Sequence, residues 1–341
     1  MHPCRLPVAV LFCMLGLNEG SVSAQGTKYA GEFLRIGVGP RALGMGGAFV
    51  GVADDATAGY WNPAGLAFLS GRAVSVMHSE QMTGLTYDYA AYAHSRGQND
   101  RRSTYGISLI RLGLDDIPIT VLPDPSQPID VLLSNGQRNR PFIDRFVSNV
   151  EFALLVSFAR RTSDRFSLGG NLKVVHKSLD VASAFGLGFD AGVMFRPIAS
   201  FAIGVQVMNL TSTILTWNTG RKEYIAPLLK MGVAYARSMP RLHGDVIIAT
   251  DLDILFERRN QTASQSLGSA SVSAHIGLEY RLKQAVAIRM GLQAAGLTAG
   301  AGLHTPSFNL VGRAFTPSLD YAFVNDAAFG AVHRIGASIE F

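Results

Sequence analysis

Asp54 and Asp55 stand side by side, the pairing that acid–base catalysis or metal binding would use. No nearby histidine or third acid completes such a set. The pair fits better as a cap for a short helix over "DDATAGYWNPAGLA", or as an acceptor of loop amides. Eight histidines are scattered along the chain. His78, His94, His176, His275 and His304 fall on separate expected strands, without H-x₃-H or H-E-x-x-H spacing. No G-x-S-x-G elbow is present. Gly37, Gly39, Gly44, Gly46 and Gly47 have the density of a phosphate cradle, but their flanks offer no βαβ unit. They suit close backbone packing in a confined space instead. The expectation is a non-enzyme with no metal and no cofactor.

The elements that must carry these residues are strands. Only 16% of the chain is charged, 48% is hydrophobic, and it holds 36 glycines, a composition closer to a membrane β protein than to a cytosolic enzyme. Residues 1–24 read as a signal peptide: a basic start, an apolar run of about a dozen residues, and small residues before an expected cleavage after Ala24. Both cysteines, Cys4 and Cys13, leave with it, so no disulfide is expected. The formal charge of +5 points, in an exported chain, to anionic lipid headgroups or lipopolysaccharide and not to nucleic acid.

From about Arg72 onward the period is two. Val272, Ala274, Ile276, Leu278, Tyr280 and Leu282 alternate with Ser271, Ser273, His275, Gly277, Glu279 and Arg281. About fourteen such segments are centred near residues 75, 89, 108, 153, 171, 190, 205, 231, 247, 276, 289, 301, 319 and 335. Odd-numbered connections include three long ones, 115–144, 212–224 and 257–268, whereas even-numbered ones are mostly tight. A soluble sandwich or propeller shares the alternation, but it does not sort loops by parity and it needs more surface charge. The expected fold is an all-β, transmembrane, antiparallel up-and-down β-barrel of about 14 strands. Residues 25–70, rich in Gly and Ala, form an N-terminal hatch in its lumen, and residues 71–341 form the outer-membrane wall. The final "HRIGASIEF" keeps its alternation to the last residue, as a strand closing a barrel must. Phe341 is expected in the periplasmic aromatic girdle and as the terminal signal read by the barrel assembly machinery.

Asp88, Lys173, Glu279, Arg281, Arg289, Arg334 and Glu340 are expected to face the lumen, where mixed signs pair to brace wall and hatch. The connection "LDDIPITVLPDPSQPIDVLLSNGQRNRPFID" is the expected recognition loop. Pro118, Pro123, Pro125 and Pro128 stiffen it, and Ile117, Val121 and Leu122 make it more apolar than an exposed loop should be. Arg138, Arg140, Arg221, Lys222, Arg258 and Arg259 are placed for lipopolysaccharide phosphates.

"GPRALGMGGAFVGVADDATAGYWNPAGLA" resembles the N-terminal signature of the PorV/PorQ family of outer-membrane proteins, relatives of the FadL long-chain fatty acid transporters. "SLDYAFVNDAAFGAVHRIGASIEF" resembles that family's C-terminal strands. The resemblance implies a fourteen-stranded barrel whose hatch carries the Asn-Pro-Ala motif at Asn62, Pro63 and Ala64, beside Trp61, Asp54 and Asp55. It also implies a non-enzymatic component of type IX secretion that binds translocon or cargo. The alternative is a FadL-like transporter for fatty acids or other hydrophobic compounds, with the hatch gating passage.

Overall fold

Strands that alternate between lipid and interior leave their edges unsatisfied unless the sheet closes. The computed structural model describes residues 30–81, 84–97, 102–256, 265–267, 270–294, 296–310, 313–326 and 330–341. The expected leader and its expected cleavage point lie outside them, as do Arg258 and Arg259. Among the described residues the chain forms β1 (Arg72–Gln81), β2 (Leu85–Arg96), β3 (Ser103–Val121), β4 (Phe142–Arg161), β5 (Phe166–Leu179) and β6 (Ala182–Ile198). It continues with β7 (Phe201–Met208), β8 (Thr213–Trp217), β9 (Lys222–Ile225), β10 (Leu228–Met239), β11 (Gly244–Leu255) and β12 (Gln265–Leu267). The last third supplies β13 (Ala270–Leu282), β14 (Val286–Gln293), β15 (Gly296–His304), β16 (Phe308–Leu310), β17 (Arg313–Asp326) and β18 (Gly330–Glu340).

Fourteen of these strands make the wall, and β8, β9, β12 and β16 are short additions to it. All wall pairings are antiparallel, β7 pairs with β10, and β18 pairs with β1 from Ala73↔Glu340 to Glu80↔His333. The barrel is therefore closed. The fourteen sequence centres each fall inside one wall strand. Arg72 and Phe341 exchange backbone hydrogen bonds of 2.8 Å in both directions. The Phe341 ring stacks on Phe315 at 5.3 Å, and Phe315 stacks on Phe308 at 5.9 Å.

The outer face is apolar because it meets lipid: Ile288 and Met290 on β14 are 58% and 60% exposed, while Arg289 between them is 1% exposed. The long connections 122–141 and 209–227 lie at the end of the barrel away from the termini, and the turns at 162–165 and 240–243 lie at the terminal end. One expected loop is shorter than its sequence suggested. β3 and β4 run on as a hairpin beyond the wall, pairing Ile117↔Val147, Pro118↔Phe146 and Val121↔Phe142. Ile117, Pro118 and Val121 are thus strand residues, because Ile117, Ile119 and Val121 continue the period-two alternation past the bulge at Asp116.

Residues 30–69 lie inside the barrel, nearly all buried. They form only short turns of helix: α1 (Pro40–Gly44), α2 (Ala58–Trp61), and 3-10 turns at Glu32–Arg35 and Pro63–Phe68. Asn62 adopts an extended conformation (φ −164°, ψ 103°), as a residue before proline prefers, and α2 stops there. The helix expected from Asp54 onward is therefore a single turn. Glycine is required twice over at Gly46. Its φ is +68°, and an added Cβ would lie 2.8 Å from the Leu292 nitrogen of the wall.

Candidate functional site

An irregular segment inside a barrel cannot satisfy its own backbone, so the wall must do it. Side chains from many strands reach inward to that end. On β2, the Tyr87 hydroxyl donates to Phe33 O (3.1 Å). On β5, Ser167 donates to Ala64 O and Asn171 to Gly59 O, each at 2.8 Å. On β7, Gln206 donates to Tyr60 O (2.9 Å). On β11, one carboxylate oxygen of Asp251 accepts from the Phe49 and Val50 amides at 2.7 and 2.8 Å. On β15, Thr298 donates to Gly44 O (3.1 Å), and on β18 Arg334 donates to Gly37 O (3.3 Å). Between these hooks, glycines on the inner face let backbone touch backbone. A Cβ on Gly204 would strike the Val50 carbonyl, and one on Gly291 would strike Gly46.

The Asn-Pro-Ala motif forms part of this seam. Asn62 is fully buried. Its Nδ2 donates to Val50 O and to Val193 O of β6, both at 3.1 Å, and its Oδ1 accepts from the Ala64 amide at 3.1 Å. Pro63 opens the second 3-10 turn, and the Trp61 indole donates to Val38 O (2.9 Å). Asp55 accepts from the Thr57 amide (2.8 Å), and both Asp54 and Asp55 lie against Arg41.

Arg41 centres an ion cluster at the terminal end. It bonds Glu279 through two nitrogens, at 2.9 and 3.1 Å. Glu279 also accepts from Arg289 (2.6 Å) and Arg281 (3.0 Å), and Arg289 reaches Asp320 (2.7 Å). Each charge so far from bulk water is compensated, which makes burial affordable. Lys173 is buried too, paired with Asp190 at 2.8 Å. A cavity of about 250 Å³ beside the cluster is bordered by Asp54, Asp55, Arg281, His304 and Glu340.

A second cavity, of about 190 Å³, lies toward the end with the long connections, between the inner segment and the wall. Leu34, Ile36, Leu43, Tyr60 and Trp61 line it from the inner segment. Met208, Leu228, Lys230, Asp253, Ser273, His275 and Arg334 line it from the wall. Lys230 pairs with Asp253 at 2.9 Å and stands 5.0 Å from the centre of the Trp61 ring. His275 Nδ1 lies 2.7 Å from Gly46 O, which requires a proton on that nitrogen. Its Nε2 is then the edge turned to Asp253, 3.5 Å away.

The expected site residues thus separate. Asp54, Asp55, Trp61, Asn62, Pro63 and Ala64 lie in the inner segment, and Glu279, Arg281, Arg289, Lys173 and Arg334 point at it from the wall. Asp88 does not face the lumen. Tyr87, Tyr89, Ala91 and Ala93 are the buried face of β2, so Asp88 is on the outer wall. There it meets His78 at 2.7 Å and Arg111 at 3.1 Å. The apolar-out rule fails on β2 because its inner neighbours, such as Phe33, are apolar as well. Pro123, Pro125 and Pro128 are exposed and Leu122 half-buried, in a loop organised around Asn139. That buried amide donates to the carbonyls of Asp124, Gln127 and Pro128 at 2.8 to 3.1 Å. Arg138 and Arg140, expected on phosphates, both contact Asp130. Sequence reasoning missed Arg41, Lys230, Asp251 and Asp253. The alternation in "TDLDIL" would have placed both acids on one face.

No protein-family model and no curated protein matches the chain. Solved structures do. The Ralstonia pickettii toluene transporter TbuX superposes with a TM-score of 0.54 at 14% identity, covering 89% of this chain and 97% of that one. The P. putida toluene transporter TodX gives 0.54 at 12% identity, covering 89% and 96%. A Pseudomonas aeruginosa FadL homologue gives 0.51 at 11% identity, covering 89% and 98%. The chain has the fold of outer-membrane hydrocarbon transporters.

Proposed function

We propose that this protein is a FadL-like conduit of the bacterial outer membrane, admitting small hydrophobic compounds through the cavity beside Trp61, with residues 30–69 as the hatch that gates them. The observation that carries this reading is the cavity itself. It sits at the long-loop end between inner segment and wall, with Leu34, Leu43, Tyr60 and Trp61 on one side and the polar Lys230, Asp253, Ser273 and His275 beside Met208 and Leu228 on the other. The shared fold with toluene transporters supports the same reading. It is a transport reading and needs no catalytic residue. The secretion role expected from the PorV/PorQ resemblance rests on the sequence signature alone, and nothing lining the cavity calls for a protein cargo.

The test is uptake of labelled toluene by whole cells whose outer leaflet is lipopolysaccharide, with and without the protein. Ser273→Trp, which fills the cavity from β13, serves as the blocked form. Uptake should rise with the wild type and return to the background rate with Ser273→Trp. Equal uptake with and without the wild type would remove the reading.

A further inference from the structure

The two ends of the barrel treat their cations differently. At the long-loop end Arg138 and Arg140 share Asp130, Arg145 reaches Asp144 and Asp180, and Arg221 reaches Glu223; Lys222 stands alone. At the terminal rim Arg96, Arg160, Arg165, Arg237, Arg241 and Lys283 are all exposed, and among the described residues none has an ion-pair partner. The acids of that rim are engaged elsewhere: Asp164 meets Arg161 at 3.2 Å, and Asp245 accepts from Gln284. Short turns face the periplasm in outer-membrane barrels, so this basic rim meets the inner, phospholipid leaflet.

The rim is most ordered on β2, β3 and β4. Ser103 pairs with Arg96 on one side and with Arg160 on the other, so three outward side chains stand in one row. With strands about 4.8 Å apart, the two arginine Cα atoms are about 10 Å apart. Two guanidinium groups at that spacing can close on one phosphate, with the Ser103 hydroxyl between them. One step further into the membrane, Tyr105 pairs with His94 and Phe158, and the Tyr105 and Phe158 rings lie 5.3 Å apart. Ile107 and Val156 continue the column, 46% and 47% exposed. Cations, then aromatic rings, then aliphatic side chains match the profile of a phospholipid from headgroup to acyl chain. No carboxylate stands among these described residues: beyond Arg160 the row continues with Leu168 of β5, and on the β1 side Arg72 stands opposite His94. An ethanolamine ammonium would find no acid there, whereas a headgroup of net negative charge finds two guanidinium groups.

From this arrangement we infer that Arg96, Ser103 and Arg160 form a headgroup site for an anionic phospholipid of the inner leaflet, with its phosphate between the two arginines and its acyl chains on Tyr105 and Phe158. The inference rests on the outer-membrane wall and not on the conduit reading, so its failure leaves passage through the hatch untouched.

The experiment uses the full chain, assembled and purified in detergent. Phosphatidylglycerol and phosphatidylethanolamine with identical acyl chains are titrated in, and bound lipid is read by native mass spectrometry. The first phosphatidylglycerol should bind at a concentration about tenfold or more below that of the first phosphatidylethanolamine. Arg96→Gln/Arg160→Gln should bring the two lipids to within about twofold of each other without changing phosphatidylethanolamine binding. Arg237→Gln/Arg241→Gln removes the same charge from another stretch of the rim and should keep the preference. The wild type decides the matter even if the first variant fails to assemble, since equal binding of the two lipids overturns the proposal. An equal loss of preference in Arg237→Gln/Arg241→Gln means diffuse rim charge and overturns the site. Lipid A binding more tightly than phosphatidylglycerol, and weakened by Arg96→Gln/Arg160→Gln, overturns the assignment to the inner leaflet.

Discussion

Gly204→Ala puts the seam between inner segment and wall to a direct test. Gly204 sits in β7 with an ordinary strand backbone, so alanine costs nothing in φ. The added methyl would strike the Val50 carbonyl and lie 2.8 Å from Asn62 Nδ2. Neither neighbour is the loose end of a flexible side chain. Val50 is fixed by Asp251 through its amide, and Asn62 by Val193 and Ala64. Overpacking of this kind costs about 1–3 kcal/mol, and the Asn62–Val50 hydrogen bond would be lost with it, about 1 kcal/mol more. A total of about 2–4 kcal/mol raises the opened population of the inner segment roughly 30- to 900-fold, at about 1.36 kcal/mol per decade. Hydrogen–deuterium exchange with mass spectrometry reads that population at the amides of Phe49 to Val52. The wall amides of β13 and β14 should exchange unchanged. Gly170→Ala on β5 is the control, since its methyl would meet only Asp190 O at 3.1 Å. Unchanged exchange at residues 49–52 in Gly204→Ala would refute the close-packed seam.

Three further perturbations follow from other parts of the molecule. Arg41→Met leaves Glu279 with Arg281 and Arg289 but strips Asp54 and Asp55 of their cation; it should destabilise the inner segment by about 3 kcal/mol. Protease cleavage within residues 40–60 of the assembled barrel reports this, and wild-type resistance would contradict the bracing role. Phe341→Ala breaks the stack with Phe315 and Phe308 and should lower the yield of heat-modifiable barrel in the outer membrane, whereas an unchanged yield would deny the terminal aromatic its part in assembly. In the loop 122–141 the Arg140 hydrogen bond holds the Asp130 carboxyl below its ordinary value of 3.8. A lowered carboxylate contributes order above pH 3.8 that is lost as pH falls through the lowered value. Pepsin cleavage of this loop, normalised at each pH to an unstructured reference peptide, should therefore rise as pH falls below 3.8, and the rise should be smaller in Asp130→Asn.

The wall was legible because lipid imposes a strict rule on it. β13 and β14 alternate without exception, and such alternation marks all fourteen segment centres. The terminal strand was legible for the same reason, Ile335 being exposed and Arg334 buried. β2 is not legible in this way, because its inner face packs on an apolar segment and both faces look alike, which leaves the side of Asp88 undetermined by alternation. The β3–β4 hairpin resembles a loop in sequence because its prolines outweigh the alternation of Ile117, Ile119 and Val121. In the inner segment, Asn62 and Trp61 stood out by type. Their partners on the wall did not, since contacts such as Asn62–Val193 or Arg41–Glu279 join residues more than a hundred positions apart. The wall glycines carried a signal that went unread: glycine at an inward strand position marks where another backbone lies against it.

The central claim is that compounds pass only when residues 30–69 move away from the wall. A Cβ on Gly59 of α2 would lie 3.8 Å from the Ser157 Cβ of β4, the mean separation in a disulfide. The double variant Gly59→Cys/Ser157→Cys, made with Cys4 and Cys13 replaced by serine, therefore ties the segment down with no other cysteine to pair. Uptake of labelled toluene should stop in the oxidised form and recover on reduction. Uptake at the wild-type rate by the oxidised, cross-linked protein would contradict the account.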